Sequence, residues 1–269
     1  MKALRPEEEW ARRMMTHALG VPVLQHDDGS LERMHDLDVV YDGESAAVEV
    51  TSAADGESIA LWNLMNGRNE RWVVDELQGG WIVSLEPSAR AKRLKAELPR
   101  LLGELEASDL TELRPQRASV RGHLAEMARE LGVASAVQSG TDFPGSIYIT
   151  IELPTERAGG FVADTGDALA IWVAEFLNAP KRRDVLDKLA GSGSSERHAF
   201  IILPGFAEAP FGVTDLLMRD GAPLPLVDPQ LPEEVTHVWL VSGWASGRGF
   251  RWCRASGWDL FDKLQEPAA

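Results

Sequence analysis

The chain has 269 residues, of which 44% are hydrophobic and 26% are charged, and its formal net charge is −15. This is the composition of an ordinary folded protein, which excludes collagen-like and wholly disordered chains. The acidic balance argues against a general, sequence-independent grip on DNA, because such binding depends on lysine and arginine side chains that contact phosphates. The length predicts one large domain or two modest ones.

The sequence has none of the usual marks of a membrane or secreted protein. No stretch approaches the roughly 20 consecutive apolar residues that a transmembrane helix needs. The first nine residues contain no apolar core of a secretory signal. A single cysteine, Cys253, cannot form an internal disulfide, which fits a reducing compartment. We therefore expect a cytoplasmic protein with no membrane partner.

A helix is predicted at the start of the chain, over about residues 6–19. Pro6 suits an early helix position, the glutamates behind it favour the positive end of the helix dipole, and Gly20 marks the end. Trp10 and Met14 recur at helical spacing, so we expect their face to be buried.

Strand and helix patterns alternate after this helix. Three short strands are predicted, at Val21–Gln25, Asp36–Tyr41 and Ala46–Ser52. The Asp42-Gly43 pair between the last two strands is typical of a hairpin turn. The pattern then predicts a short helix, a buried strand and a long amphipathic helix, at residues 58–66, 81–85 and 89–106.

A polar stretch at Ser108–Gln116 is the predicted domain boundary. It separates a first domain, residues 1–108, from a second α/β region, residues 117–269, although the two can also pack as one continuous domain. The second region contains predicted helices near 120–131, 167–189 and 213–219 and strands near 147–153, 198–203 and 237–242. Because strands and helices alternate throughout, we predict the α/β class, with a mixed sheet flanked by helices.

The hairpin carries the main candidate for chemistry. Side chains alternate along a strand, so Asp36 and Asp38 share one face. If Asp42-Gly43 is a two-residue turn, Asp36 lies directly across from Glu49, and if the loop has four residues, Asp38 does. Opposed carboxylates are unfavourable unless a cation lies between them, and Mg²⁺ is typically held by one or two carboxylates. The alternative interpretation is a solvated face with hydrated acids.

The order of helix, three strands, helix, strand and helix, with aspartate on the second strand and Glu49-Val50-Thr51 on the third, resembles the PD-(D/E)XK nuclease superfamily. The resemblance covers about residues 6–106 and implies a restriction-endonuclease-like core. In that family an aspartate and a glutamate hold the metal, and a lysine two positions after the glutamate helps to position the attacking water. The match assigns Mg²⁺ or Mn²⁺ to Asp36, Asp38 and Glu49, with the carbonyl of Val50 completing the metal shell.

Thr51 stands where the family has lysine, and a hydroxyl group carries no cation and is a poor base. The resemblance thus places Asp38, Glu49 and Thr51 at the catalytic positions, with the lysine function lost or supplied from elsewhere. One candidate source is the basic run Arg90-Ala91-Lys92-Arg93-Leu94-Lys95, whose alternative interpretation is the solvated face of a helix. Some members of the family add a glutamate from the first helix, and both Glu8 and Glu9 are matches for it.

Two further groups have both a chemical and a structural interpretation. His26 and His35 precede the hairpin and, together with carboxylates, suit a transition metal. No histidine or cysteine pair at ligand spacing supports them, so we favour turn-forming residues. A set of tryptophans is suited to stacking on bases, although such residues more often fill a core or an interface. These are Trp62, Trp72, Trp81, Trp239, Trp244, Trp252 and Trp258.

The sequence therefore supports two main hypotheses. The preferred one is a diverged nuclease that depends on Mg²⁺ or Mn²⁺ and hydrolyses phosphodiesters in nucleic acid. The alternative is a non-catalytic binding or regulatory module that retains the nuclease fold, which Thr51 and the acidic surface favour. A third hypothesis is a homodimer whose tryptophan-rich second half forms the interface.

Overall fold

The computed structural model describes residues 2–67, 72–117, 122–140, 142–160, 162, 165–245 and 247–265. The chain forms two compact units, of which the first combines residues 1–54 with 159–269 and the second comprises residues 55–158. The second unit is thus inserted into the sequence of the first. Within the described ranges, no helix is both long and apolar enough to cross a membrane.

Helices and strands alternate as the sequence patterns predict. The helices are α1 (Pro6–Leu19), α2 (Gly56–Asn66), α3 (Ala91–Ala107), α4 (His123–Leu131), α5 (Thr155–Ala158), α6 (Asp167–Asn178), α7 (Arg183–Gly191) and α8 (Phe211–Met218). The strands are β1 (Val23–Gln25), β2 (Leu37–Val40), β3 (Ser45–Ser52), β4 (Trp72–Val73), β5 (Gly80–Leu85), β6 (Glu112–Leu113), β7 (Val133–Gly140), β8 (Ser146–Ile151), β9 (Arg197–Leu203), β10 (His237–Ser242), β11 (Gly249–Cys253) and β12 (Gly257–Phe261). The predicted start of α4, at residue 120, lies outside the described residues.

The two units do not follow the predicted division at Ser108–Gln116. That stretch lies inside the second unit, and the predicted first domain, residues 1–108, contributes to both units. The predicted strand at 81–85 and the long helix after it belong to the second unit, so they are not part of one core with the hairpin. The physical reason is that β3 pairs with β9, which lies far along the chain.

The first unit is built on a sheet with the strand order β1-β2-β3-β9-β10-β11-β12. The β3–β9 and β9–β10 pairs are parallel, and the other pairs are antiparallel. Residues of α1 pack on one face of this sheet, and residues of α6, α7 and α8 pack on the other. The second unit has its own mixed sheet, of order β4-β8-β5-β7-β6. The predicted α/β class, with mixed sheets flanked by helices, is confirmed.

Local sequence signals account for the first helix and the hairpin. The helix begins with Pro6 and ends at Gly20, whose φ of 70° is the left-handed conformation that favours glycine. Residues Leu37 and Val48 face each other in the β2–β3 register, and the turn is the two-residue Asp42-Gly43 pair. Gly43 has a φ of 92°, which a side chain would strain.

The predicted helix over residues 167–189 is instead two helices. α6 ends at Asn178, a 3₁₀ turn occupies Pro180–Arg182, and α7 begins at Arg183. Proline lacks the backbone N–H that a continuous helix needs, and its ring collides with the preceding turn, so Pro180 interrupts the helix. This interruption sets the positions of two cationic side chains that contact β3, Arg182 and Lys188.

The expected apolar stripe of α3 and several of the tryptophans lie in the cores. The leucines of the stripe are fully buried, namely Leu94, Leu98, Leu101, Leu102 and Leu105. Trp81 and Trp239 are 1% and 2% exposed, as the core interpretation expects, whereas Trp244 is 53% exposed. The tryptophans therefore do not form a single surface.

A pair of stacked histidines lies within the first sheet. His198 on β9 and His237 on β10 are direct neighbours, and their ring centroids are 4.2 Å apart. Trp239 donates its indole N–H to Nδ1 of His198 at 3.1 Å. Burial, followed by the neighbouring His198, lowers the pKa of His237 to about 4, and burial also lowers the pKa of His198. Both rings are therefore neutral at pH 7.

This pair predicts a loss of stability in mild acid. Below about pH 6.5 the unfolded chain binds a proton at His237 that the folded protein does not bind until about pH 4, so unfolding becomes easier as the pH falls. The unfolding free energy of the wild-type protein should decrease between pH 7 and pH 4.5. We expect the decrease in His237→Gln to be smaller, by on the order of 2 kcal/mol. Urea unfolding of both proteins at the two pH values measures this, and an equal decrease in both would contradict it.

Candidate metal centre

Three acidic side chains of the first unit are buried near one another. Glu8 lies in the first turn of α1, Asp36 directly precedes β2, and Glu49 is in the middle of β3. Their exposed fractions are 3%, 2% and 3%. Burying a carboxylate is costly unless hydrogen bonds or opposite charges compensate it, so the partners of each group define what the site can do.

The hairpin places Asp36 across from Glu49. The β2–β3 register pairs Leu37 with Val48, and continuing it by one residue brings Asp36 and Glu49 opposite each other, as the two-residue turn predicts. The backbone N–H of Val50 donates to Oδ2 of Asp36 at 2.8 Å. The strand backbone itself thus holds the aspartate. The metal-binding role assigned to the carbonyl of Val50 stays a prediction.

Glu49 has one charged partner and one oxygen without a partner. Lys188, on α7, donates from Nζ to Oε1 of Glu49 at 2.7 Å. The other oxygen, Oε2, is buried and has no hydrogen-bond partner among the described residues. A buried carboxylate oxygen without a donor is rare in folded proteins and indicates a position that a cation or water completes.

Lys188 is the partner of Glu49 that the sequence pattern does not predict. It follows Glu49 by 139 residues, and only the parallel pairing of β3 with β9 brings α7 onto β3. The single local signal is a lysine on the helix that precedes a buried strand, which many helices share. The basic run at 90–95 lies in the second unit, where Arg93 pairs with Glu97 and Glu130 at 3.0 and 2.9 Å.

Glu8, and not Glu9, is the first-helix glutamate in this group. Glu8 accepts from Nε of Arg5 at 2.5 Å and from the backbone N–H of Arg5 at 2.7 Å. Nη2 of Arg5 lies 3.7 Å from Oδ1 of Asp36, so one guanidinium links two of the buried acids. Glu9 instead pairs with Arg12 at 2.7 Å.

The buried acids are short of positive charge. Burial, opposed by the N–H of Val50 and reinforced by Glu8, raises the pKa of Asp36 to about 6. Burial and the neighbouring Asp36 raise the pKa of Glu49 to about 8, although Lys188 acts in the opposite direction. Both shifts mean that Lys188 and Arg5 do not fully compensate two neighbouring carboxylates. A bound cation would lower both pKa values.

Asp38 has partners of its own, away from this group. Its two oxygens are engaged by Nδ1 of His26 at 2.7 Å and Nε2 of His35 at 2.8 Å. Although burial opposes ionisation, the hydrogen bonds from His35 and His26 lower the pKa of Asp38. The structure therefore separates Asp38 from Asp36, although the two share a strand face.

In two groups that contain histidine, potential metal-ligand atoms lie close together. The orientation of the imidazole rings does not allow both rings of a group to bind one metal ion. The groups are His26-His35-Asp38 and Glu196-His198-His237. In each group the two imidazole rings are stacked, with interplanar angles of 14° and 13°. A metal ion lies in the plane of an imidazole that binds it, so two parallel rings cannot both direct a lone pair at one ion. We place no metal at either group.

Thr51 lies on the same strand face as Glu49, two residues further along β3. Its hydroxyl oxygen is 3.5 Å from Nη1 of Arg182, in the 3₁₀ turn before α7. Thr51 therefore contacts a cation instead of supplying one.

Comparisons with models of protein families, with curated proteins and with solved structures find no match for this chain. The residues that the structure brings together are Glu8, Asp36, Glu49 and Lys188, with Thr51 beside them.

The geometry predicts that Mg²⁺ or Mn²⁺ stabilises the folded protein. An ion at 100 times its Kd contributes about 2.7 kcal/mol, which for a chain of this size raises Tm by roughly 5–10 °C. Asp36→Asn and Glu49→Gln should abolish the shift, because each removes a charged oxygen donor. Asp38→Asn is the matched control and should keep it, since His26 and His35 hold that side chain elsewhere.

Calorimetry of thermal unfolding, with and without the ion, measures these shifts in Tm. An unshifted Tm in the parent protein would count against a metal site. Loss of the shift in Asp38→Asn alone would move the site to the histidine group.

Proposed function

We propose that the first unit is a metal-dependent nuclease, with Asp36 and Glu49 as metal ligands and Lys188 as the cation beside them. The observation that carries this proposal is the buried Glu49 carboxylate, with one oxygen on Lys188 Nζ at 2.7 Å and the other without a partner. A structural ion pair has no need of a second carboxylate directly opposite, whereas a metal ion can use both as ligands.

The order of elements supports a restriction-endonuclease-like core. The first unit has the order of elements that the resemblance to the nuclease superfamily implies. This order is helix α1, the antiparallel strands β1, β2 and β3, a helical segment and strand β9. The core would comprise residues 6–52 and 167–203, with the second unit inserted between its halves, rather than the continuous 6–106. This arrangement keeps aspartate on the second strand and glutamate on the third.

The donor set fits a hard cation. Oxygen atoms of Asp36 and Glu49 are the ligands that Mg²⁺ and Mn²⁺ prefer, and the Val50 carbonyl is a third oxygen in the predicted shell. When bound, such an ion supplies an activated water and offsets negative charge on the phosphate. The N–H of Val50 and the Arg5–Glu8 pair hold Asp36 in place for this role.

Lys188 occupies the role that Thr51 cannot perform. Burial opposes its charge, but the hydrogen bond to Glu49 and the charges of Glu49, Asp36 and Asp184 together outweigh burial, so the pKa of Lys188 is raised. The ammonium group therefore stays protonated at neutral pH. We assign it to donating hydrogen bonds to the attacking water or to a phosphate oxygen, rather than to accepting a proton as a general base.

The second candidate function is a non-catalytic binding module that retains the fold. The observation that favours it is the same ion pair, because Lys188 already satisfies one oxygen of Glu49. In that case the carboxylates serve the stability of the fold, and neither metal nor cleavage is expected. The nuclease assay separates the two functions.

Purified protein should cleave DNA or RNA, single- or double-stranded, in the presence of Mn²⁺ or Mg²⁺. Glu49→Gln should abolish cleavage, and Lys188→Met should reduce kcat by roughly 100-fold or more, because a charge-stabilising donor is lost. Lys92→Met is the matched control in the basic run of the second unit and should retain full activity.

Rates are measured on end-labelled oligonucleotides of each type. Cleavage that persists in Glu49→Gln would reveal a contaminating nuclease. Folded protein that shows no Tm shift with the ion and cleaves none of the four substrates would favour the binding module.

A further inference from the structure

The side chain of Arg182 is an incompletely paired cation beside the candidate metal centre. It extends from the 3₁₀ turn between α6 and α7 and is only 14% exposed. Its guanidinium carbon lies 4.0 Å from the ring centroid of Phe176, and Nη1 is 3.5 Å from the hydroxyl oxygen of Thr51. Thr51 is two residues after Glu49, on the same face of β3, which corresponds to a rise of about 6.6 Å along the strand.

The hydrogen bonds of this guanidinium are fewer and longer than its five donors can make. Nη2 donates to Oε2 of Glu208 at 3.3 Å, while Lys181 binds the same oxygen more closely, at 2.6 Å. Nε is buried and has no hydrogen-bond partner within the described part of the chain. Two cations thus share one carboxylate oxygen, which leaves uncompensated positive charge.

The energetics of this arrangement favour an anion. Burial, opposed by Glu208, lowers the pKa of Arg182, which shows that the charged form is incompletely compensated. An anion that reached Nη1 and Nη2 would satisfy the planar fork of the guanidinium with two parallel hydrogen bonds. The side chain is already held against Phe176 and Thr51, so little conformational entropy would be lost on binding.

We propose that Arg182 binds a phosphate group of the nucleic acid, namely the one next to the phosphate that is attacked. This inference rests on the proposed nuclease function. Glu49 and Lys188 define where the attacked phosphate lies, and Arg182 is one strand step away at Thr51. This role also accounts for Thr51, which stands where the nuclease superfamily has lysine. Its short hydroxyl side chain makes room for the guanidinium of Arg182 and contacts it.

The role is one of substrate positioning, so it should affect KM more than kcat. Arg182→Met keeps the packing against Phe176 and should raise KM for a cleaved oligonucleotide roughly 10-fold, because a charged hydrogen-bond pair is lost. Its kcat should change less than about 3-fold. Arg183→Met is the matched control, since Arg183 is the next residue, is 68% exposed and pairs with Asp187. It should leave KM unchanged.

A substrate with one neutral methylphosphonate linkage beside the cleavage site identifies the phosphate. This linkage should raise the KM of the wild-type protein roughly 10-fold. The KM of Arg182→Met should stay unchanged, because the phosphate charge that the linkage removes has no arginine partner in the variant. A neutral linkage several nucleotides away should have equal effects on both proteins. Thermal unfolding of Arg182→Met establishes that the variant is folded.

The outcomes separate this inference from the proposed function. Normal cleavage with an unchanged KM in Arg182→Met, or equal sensitivity of both proteins to the neutral linkage, would overturn the role of Arg182 alone. Absence of cleavage and of nucleic-acid binding by the wild-type protein would overturn both proposals.

Discussion

The parallel pairing of β3 with β9 is the constraint on which the candidate site depends. It places Glu49 beside Ala199 and brings α7 over the strand face that carries the glutamate. Lys188 reaches Glu49 only because of this crossover connection between two parallel strands, whose last part is the helical segment that contains α7. A carboxylate buried there without the lysine would cost several kcal/mol. The same connection contains the Pro180 interruption, which turns Arg182 towards Thr51.

The hairpin register is the second condition on which the candidate site depends, and it reduces the stability of the fold. A slip of one residue would move Glu49 to the opposite face of the sheet, away from both Asp36 and Lys188. In the observed register, two buried carboxylates oppose each other. Burial raises the pKa of both, and a neighbouring carboxylate adds to the shift of each, Glu8 at Asp36 and Asp36 at Glu49. Lys188, Arg5 and the N–H of Val50 reduce this cost without removing it. Such an incompletely compensated group is what a cation-binding site requires before the ion arrives.

The strongly acidic composition and a nucleic-acid substrate are compatible on this geometry. The net charge of −15 excludes a broad cationic surface, but a nuclease site needs only a few charges at the reacting phosphates. Here the cations come from one short segment, residues 180–191, in which Arg182 and Lys188 contact the strand that carries Glu49 and Lys181 pairs with Glu208. Contact with a substrate would therefore be narrow and would depend on the metal ion. Local charge, and not the total, decides which anions the protein can bind.

The sequence by itself determined the features that depend on neighbouring residues. Pro6 and Gly20 delimit the first helix, the leucine stripe marks α3, and Asp42-Gly43 marks a hairpin turn, whereas the structure decides between Asp36 and Asp38 as the residue across from Glu49. Side-chain periodicity and turn chemistry are local, so a linear pattern contains them. Only the tertiary structure decided that the second unit interrupts the first, that Asp38 turns to His26 and His35, and that Lys188 pairs with Glu49. These features depend on which distant strands pair and which helices pack on them, and no local spacing encodes that choice.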